Sequence, residues 1–336
     1  VRKITFETPA LFCAGDASGD LYAGLLIRQL KAKFPEATIL GVGSGRMMQG
    51  GAKLVFHSLG LMTFGLSDSF ASFLRNLDTY RKIARQLCTL QPRTFVPVAY
   101  PGVNLLLCRL AHRMGMKVYY FLPPQIWAWG RFRIYFVRKW VDAIISVFPF
   151  EADFYRKLRM RTLLIDNPLA REMARFRRND SRRKIGFMPG SRASQIRRNL
   201  PVVLELARSV RKQDKEVELC VLAYDRQQFP KLGEEFIGMH IVDDDRYQTM
   251  KNCDLLVVCS GTASLEAAFL GVPQVFFNRP SFLDFHFFRR FVRIDEYNLT
   301  NICYGTAVVP SFVDYRKRKL VEKVSRVIER ARGRAV

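Results

Sequence analysis

An alternation kept up along the whole chain constrains its fold more than any other feature: short, wholly apolar runs are each followed by a segment with helical spacing. The runs at 10–14, 38–42, 95–99, 117–122, 142–148, 185–188, 217–222, 255–259 and 274–277 read as strands, and 20–34, 74–90, 103–114, 200–211 and 263–270 as helices. A strand without alternating polar positions is buried on both faces, which calls for parallel sheets with helices on each side. Nothing repeats at a short fixed period, so a solenoid is excluded. With 336 residues, 49% of them apolar, the chain can fill two cores. One composition break stands out, the charged stretch Arg175-Phe176-Arg177-Arg178-Asn179-Asp180-Ser181-Arg182-Arg183-Lys184, and a new strand follows it. The boundary expected there gives domains 1–176 and 177–336, facing a cleft at the carboxyl ends of their strands, where open α/β sheets bind ligands.

Charge narrows the partner. Lys and Arg number 54 against 30 Asp and Glu, a net charge of +24, which calls for an acidic partner. Nucleic acid, an anionic membrane and a phosphorylated substrate all qualify, but no nucleic-acid recognition module is visible. Two basic clusters carry interleaved aromatics: Arg131-Phe132-Arg133-Ile134-Tyr135-Phe136, and the segment from Phe282 to Phe291 with His286, Phe287, Phe288, Arg289 and Arg290. Rings beside cations suit a membrane interface; the plainer alternative is a core helix with basic edges. No apolar run reaches the about 18–20 residues that span a bilayer, and the N-terminal run reads as a strand, not a signal peptide. Seven scattered cysteines without a CxxC pair read as free thiols of a reducing cytoplasm. The four histidines lack metal-ligand spacing, so no metal is expected.

Four turns carry candidate chemistry. Gly15-Asp16-Ala17-Ser18-Gly19-Asp20 follows the first strand, with Asp20 able to start the helix, and its glycines let backbone approach a ligand. Met188-Pro189-Gly190-Ser191-Arg192 exposes backbone donors at Gly190 and Ser191 and offers Arg192 to a phosphate. Ser260-Gly261-Thr262 opens a helix with small residues, a seat for phosphate, and Glu266 lies where a carboxylate can accept from the two hydroxyls of a ribose. Pro123-Pro124-Gln125-Ile126-Trp127-Ala128-Trp129 puts two indoles in a broken loop, as a stacking platform or a plug. The first two turns also read as ordinary βα connections.

In this order the motifs resemble the lipid A disaccharide synthase family, glycosyltransferase family 19. The stretches that carry the resemblance are Ser18-Gly19-Asp20, Ile126-Trp127-Ala128-Trp129, Phe148-Pro149-Phe150-Glu151 with Phe154-Tyr155, Pro189-Gly190-Ser191-Arg192, Ser260-Gly261-Thr262 with Leu265-Glu266, and Asn301 with Gly305. The resemblance implies a GT-B-like α/β fold of two Rossmann-like domains, the first on the acceptor side and the second binding the nucleotide sugar. It implies transfer of a diacylglucosamine unit from UDP to an acylated glucosamine 1-phosphate, with no cofactor. Arg192, Glu266 and Asn301 would line the UDP site, and the protein would be cytoplasmic and peripheral to the inner membrane; a homodimer stays open. The chain also departs from the family. Where the family has its catalytic Asp stands Ala99, Gln195 replaces a Glu, Asn167 replaces the His of a His-Pro-Leu motif, and Asp16 and Asp68 occupy positions of family Glu residues. Inverting transfer needs a carboxylate base near the acceptor hydroxyl, so Asp16 or Asp68 is expected to supply it. A degenerate homologue that binds UDP-sugar or anionic lipid without turnover, or another GT-B enzyme, is the alternative.

Overall fold

The computed structural model describes residues 6–57, 69–180, 182–223, 229, 238–282, 284–286 and 296–333, with only the backbone of 69–76 and 332–333. Asp68, Phe287, Phe288 and the basic residues that follow them to 293 lie outside the described residues. The chain divides into two compact units, Val1–Pro168 and Leu169–Val336.

The first unit holds β1 (Ala10–Ala14), α1 (Ala17–Lys33), β2 (Ile39–Gly43), α2 (Gly45–Gln49), β3 (Lys53–His57), α3 (Ser69–Leu90), β4 (Thr94–Val98), α4 (Pro101–Arg113), β5 (Lys117–Phe121), α5 (Arg133–Trp140), β6 (Ala143–Ser146), α6 (Pro149–Lys157) and β7 (Thr162–Leu164). Its sheet runs β3-β2-β1-β4-β5-β6-β7, parallel throughout. Every residue of β1 and β4 is buried, as their unbroken apolar sequences require.

The second unit holds α7 (Pro168–Met173, which starts on the boundary), β8 (Lys184–Met188), α8 (Ala193–Gln213), β9 (Glu218–Leu222), β10 (Met239–Val242), α9 (Arg246–Asn252), β11 (Leu255–Val258), α10 (Gly261–Leu270), β12 (Gln274–Asn278), α11 (Leu299–Tyr304), β13 (Ser311–Val313) and α12 (Lys317–Gly333). Its sheet is β10-β9-β8-β11-β12-β13, again all parallel. The polar stretch 175–184 packs on this unit: Asn179 N donates to Asn252 Oδ1 (3.1 Å), and Arg178 pairs with Asp254 (2.7 Å). Helix α8 buries Ile196, Leu200, Val203, Ala207 and Val210 along one stripe and runs through Pro201. Helix α12 buries Leu320, Val324 and Ile328, one per turn, beneath a charged outer face.

Both sheets reverse strand order between neighbours that are not consecutive, β1 and β4 in the first and β8 and β11 in the second. The connections leave those strands toward opposite faces and open a crevice at their carboxyl ends. The turns after these four strands include three of the four picked out from the sequence, together with Ala99.

Candidate functional site

In the first unit the turn after β1 is built around Asp16. It is the N-cap of α1, with Gly19 N donating to Asp16 Oδ1 (2.7 Å), which satisfies one of the helix's orphan donors. The expectation that Asp20 starts the helix is corrected. Asp20 lies a turn inside and is fully buried, and its carboxylate accepts from Ser44 N (2.7 Å), Ser44 Oγ (2.7 Å) and Arg46 N (3.1 Å). It ties the turn after β2 to α1 and is spent on structure. Gly19 marks how tightly the switch point is packed. A Cβ added there would stand 3.2 Å from Asp16 Oδ1 and 3.3 Å from Val98 O. The Asp16 carboxylate and the last residue of β4 thus both border Gly19.

Ala99 follows, at φ 50°, with Tyr100 at φ 41°. Its carbonyl accepts from Asn104 Nδ2 (3.0 Å) and from the buried Tyr120 hydroxyl (2.8 Å), and its N–H donates to Phe121 O (3.0 Å). The backbone at this position is fixed whatever the side chain. Alanine is uncommon in this left-handed region, which Asp and Asn enter several-fold more readily.

Farther along the same edge, Glu151 is buried in α6. Ser146 Oγ donates to its Oε2 (2.7 Å) and the Trp127 indole N–H to its Oε1 (3.3 Å). Trp127 also meets the Phe150 ring edge-on at 5.1 Å between centroids. Burial pushes the Glu151 carboxyl up to about 7, against the two hydrogen bonds that favour the ionised form. Between about 4.5 and 7 the unfolded chain gives up this proton while the folded one keeps it, so stability falls as pH rises through that window. Glu151→Gln removes the loss. Urea denaturation of both forms at pH 5 and pH 8 should show the variant gaining roughly 2–3 kcal/mol on the wild type across that span; a constant difference removes the burial effect.

In the second unit two side chains on α8 hold the crevice. Gln195 Nε2 donates to Cys259 O (2.9 Å), at the end of β11. Its amide also lies against Gly190, which is at φ 133° and where a Cβ would stand 2.6 Å from Gln195 Oε1. One turn on, the fully buried Asn199 donates to Pro189 O (2.8 Å) and accepts from Arg279 N (3.2 Å). The turns after β8, β11 and β12 are thus clamped by one pair of amides. An ionised Glu at 195 has no proton to give Cys259 O, so the glutamine here is matched to donation. Arg192 occupies the N-cap position of α8 and is exposed beside Ser191.

Ser260 caps α10, its Oγ accepting from Ala263 N (3.2 Å), with Gly261 and Thr262 forming the first turn. Glu266 is 2% exposed and lies farther along the helix. Its Oε1 accepts from Arg246 Nη2 (2.8 Å) and from the Tyr247 hydroxyl (3.0 Å), while its Oε2 is shut from solvent with no partner. A buried carboxylate oxygen left without a donor is costly. Asn301 is used up internally: its Nδ2 donates to Glu296 Oε2 (2.7 Å) and Val309 O (2.8 Å), and its Oδ1 accepts from Val309 N (2.8 Å). Asn301 shapes the chain around α11 and has no amide hydrogen to spare. Arg246, Tyr247 and Asn199 were not singled out from the sequence. They sit in ordinary helical contexts, and no local motif announces them.

A family described as lipid-A-disaccharide synthetase matches residues 10–333. The chain belongs to the lipid-A-disaccharide synthase family. Lipid-A-disaccharide synthase of Geobacter metallireducens is 32% identical over 90% of this chain and 83% of that protein. The protein of the same name from Nitrosococcus oceani is 32% identical over 89% and 81%. Among solved structures, UDP-GlcNAc 2-epimerase of Neisseria meningitidis, bound to UDP-GlcNAc, superposes with a TM-score of 0.63 at 10% identity, over 95% of this chain and 91% of that one. The Methanocaldococcus jannaschii UDP-GlcNAc 2-epimerase gives 0.62 at 10% identity, over 94% and 91%. At that identity the likeness is one of fold, and it agrees with two Rossmann-like domains of the GT-B kind.

Proposed function

We propose that this protein is a glycosyltransferase that moves a diacylglucosamine unit from UDP to the hydroxyl of an acylated glucosamine 1-phosphate, releasing UDP. The observation that carries the donor half is the solvent-excluded, unpartnered Oε2 of Glu266, held by Arg246 and Tyr247 on the helix that Ser260 opens. Glu266 takes the ribose hydroxyls. Arg192 and the start of α10 take the diphosphate, as a helix N-terminus and a guanidinium suit anions, and no metal is needed to stabilise the leaving group. Asn301 acts from behind, by shaping the chain around α11. On the acceptor side Asp16 is the base. It takes the proton as the acceptor oxygen bonds to the anomeric carbon and the bond to UDP breaks. Asp16 and the end of β4 both border Gly19, which supports this role in place of the Ala99 side chain. Asp68 is the other carboxylate for the same step.

A second reading, binding without turnover, is favoured by one observation: position 99 carries no acid. The deciding experiment incubates the purified protein with UDP-diacylglucosamine and the lipid monosaccharide phosphate. Disaccharide with stoichiometric UDP supports transfer; UDP binding without product favours the second reading.

The lipid substrates call for a membrane, and α5 offers a surface. Phe132 is 68% exposed and Tyr135 62%, with exposed Arg131, Arg138 and Lys139 around them. No helix among the described residues is long and apolar enough to cross a bilayer. Rings and cations together fit an anionic membrane surface. Replacing Phe132 and Tyr135 with Ser should cut co-sedimentation with phosphatidylglycerol vesicles several-fold at low salt, and wild-type binding should fall as salt rises. Equal binding to neutral vesicles removes the electrostatic part.

A further inference from the structure

Arg133 is a cation that the proposed transfer leaves unused. It opens α5, after the loop that leaves the carboxyl end of β5. Its guanidinium lies over the Trp129 ring, 3.7 Å from the centroid. Its edge rests on Gly130, at φ 68°, where a Cβ would stand 3.2 Å from Arg133 Nε and 3.3 Å from Cζ. Stacking and the missing Cβ hold the fork in one plane. Yet Nη1 is shut from solvent with no hydrogen-bond partner, and no carboxylate among the described residues pairs with the side chain.

The groups that feel its charge are Tyr120 and Tyr155. Both hydroxyl hydrogens are committed elsewhere, to Ala99 O (2.8 Å) and Pro124 O (2.6 Å). The nearby acid, Glu151, acts on Tyr155 but faces Ser146 and Trp127. Burial works against the guanidinium charge, Tyr120 and Tyr155 favour it, and no acid among the described residues is paired with it. Surface arginines meet water instead, and structural arginines meet carbonyls or acids, as Arg211 and Arg279 do here. A buried donor left unmade costs about 1–3 kcal/mol, and more when charged, so a pre-oriented guanidinium whose buried Nη1 lacks an acceptor fits a ligand anion.

We propose that Arg133 is the receptor for a phosphate group, and that the phosphate is the one on the acceptor sugar. The link to the reaction is Tyr120, which feels the Arg133 charge and bonds to the carbonyl of Ala99, at the strand end that borders Gly19 together with Asp16. A phosphate fixed on Arg133 orients the acceptor on the same sheet edge as the proposed base. Loss of the acid at position 99 keeps that edge free of a second negative charge. The inference rests on the acceptor half of the proposed function and not on the donor half.

The test titrates the whole protein with a short-chain diacylglucosamine 1-phosphate and with the same sugar bearing a free 1-hydroxyl, and separately with UDP. The wild type should prefer the phosphorylated sugar by tenfold or more. Arg133→Gln should erase the preference while leaving UDP affinity and the melting temperature unchanged, and Arg133→Lys should restore it in part, since a point charge replaces a fork. No preference in the wild type, or a preference that survives Arg133→Gln, overturns the proposal. A third arm uses phosphatidylglycerol vesicles. If Arg133→Gln weakens vesicle binding and leaves the sugar preference intact, the phosphate is a lipid headgroup and the assignment fails. Absence of UDP binding in the wild type counts against the donor site alone.

Discussion

Asp16→Asn should lower disaccharide formation by about 10²–10⁴-fold, the usual worth of a general base, with the fold and UDP affinity unchanged. The substitution isolates chemistry from structure. Asp16 is also a helix cap, and its Oδ1 accepts from Gly19 N. Asparagine caps as well as aspartate, so the hydrogen bond survives while the proton acceptor is lost. Asp16→Ala, by contrast, should cost about 1 kcal/mol of stability as well. The reciprocal experiment is Ala99→Asp. At φ 50° the backbone there already suits an aspartate better than an alanine, so the variant should fold at least as well as the wild type. If Asp16 is the base, a second carboxylate beside it raises the cost of ionising both, and Ala99→Asp should lower activity or leave it flat. If the wild type is inactive, binds UDP, and gains turnover on Ala99→Asp, the acid was lost and not replaced. Asp16→Asn with full activity moves the role to Asp68.

The sequence made some features legible because the physics that produces them is local. Wholly apolar runs became β1, β4, β8 and β11, buried on both faces, and the turns picked out after β1, β8 and β11 lie at the two switch points. Strands β3, β7, β10 and β13 escaped because they are short and only partly buried, as in the Lys53 to His57 run, with a charged residue at one end and a histidine at the other. Helix α8 begins at Ala193, ahead of the expected 200, because Pro201 reads as a start signal while the buried stripe from Ile196 to Val210 continues through it. The site residues divide the same way. Arg192 and Glu266 announce themselves by place in a motif, whereas Gln195, Asn199 and Arg246 matter through partners 20 to 80 positions away. Asn301 shows the converse: a motif residue whose amide serves the fold.

The second large effect is expected at Glu266. Its ion pair with Arg246 is buried, with side chains 3% and 11% exposed. Removing one partner of such a pair leaves the other charge uncompensated, at a cost of about 3–5 kcal/mol. Glu266→Ala should therefore destabilise the second unit by that order and lose UDP binding, an outcome a structural ion pair alone also gives. Glu266→Gln separates the two. One amide oxygen can still accept from Arg246 and Tyr247, so most of the fold's requirement is met. The Nε2 then occupies the place of the orphaned Oε2 and presents a donor to ribose hydroxyls that need an acceptor. UDP affinity should fall by about tenfold or more, while the melting temperature falls much less than in the alanine variant. UDP measured against 2′,3′-dideoxy-UDP sharpens the reading. The wild type should prefer UDP, and Glu266→Gln should abolish that preference while Arg192→Ala keeps it, because Arg192 is assigned to the diphosphate. A wild type that does not distinguish the two nucleotides takes the ribose away from Glu266 and leaves its carboxylate a structural partner of Arg246.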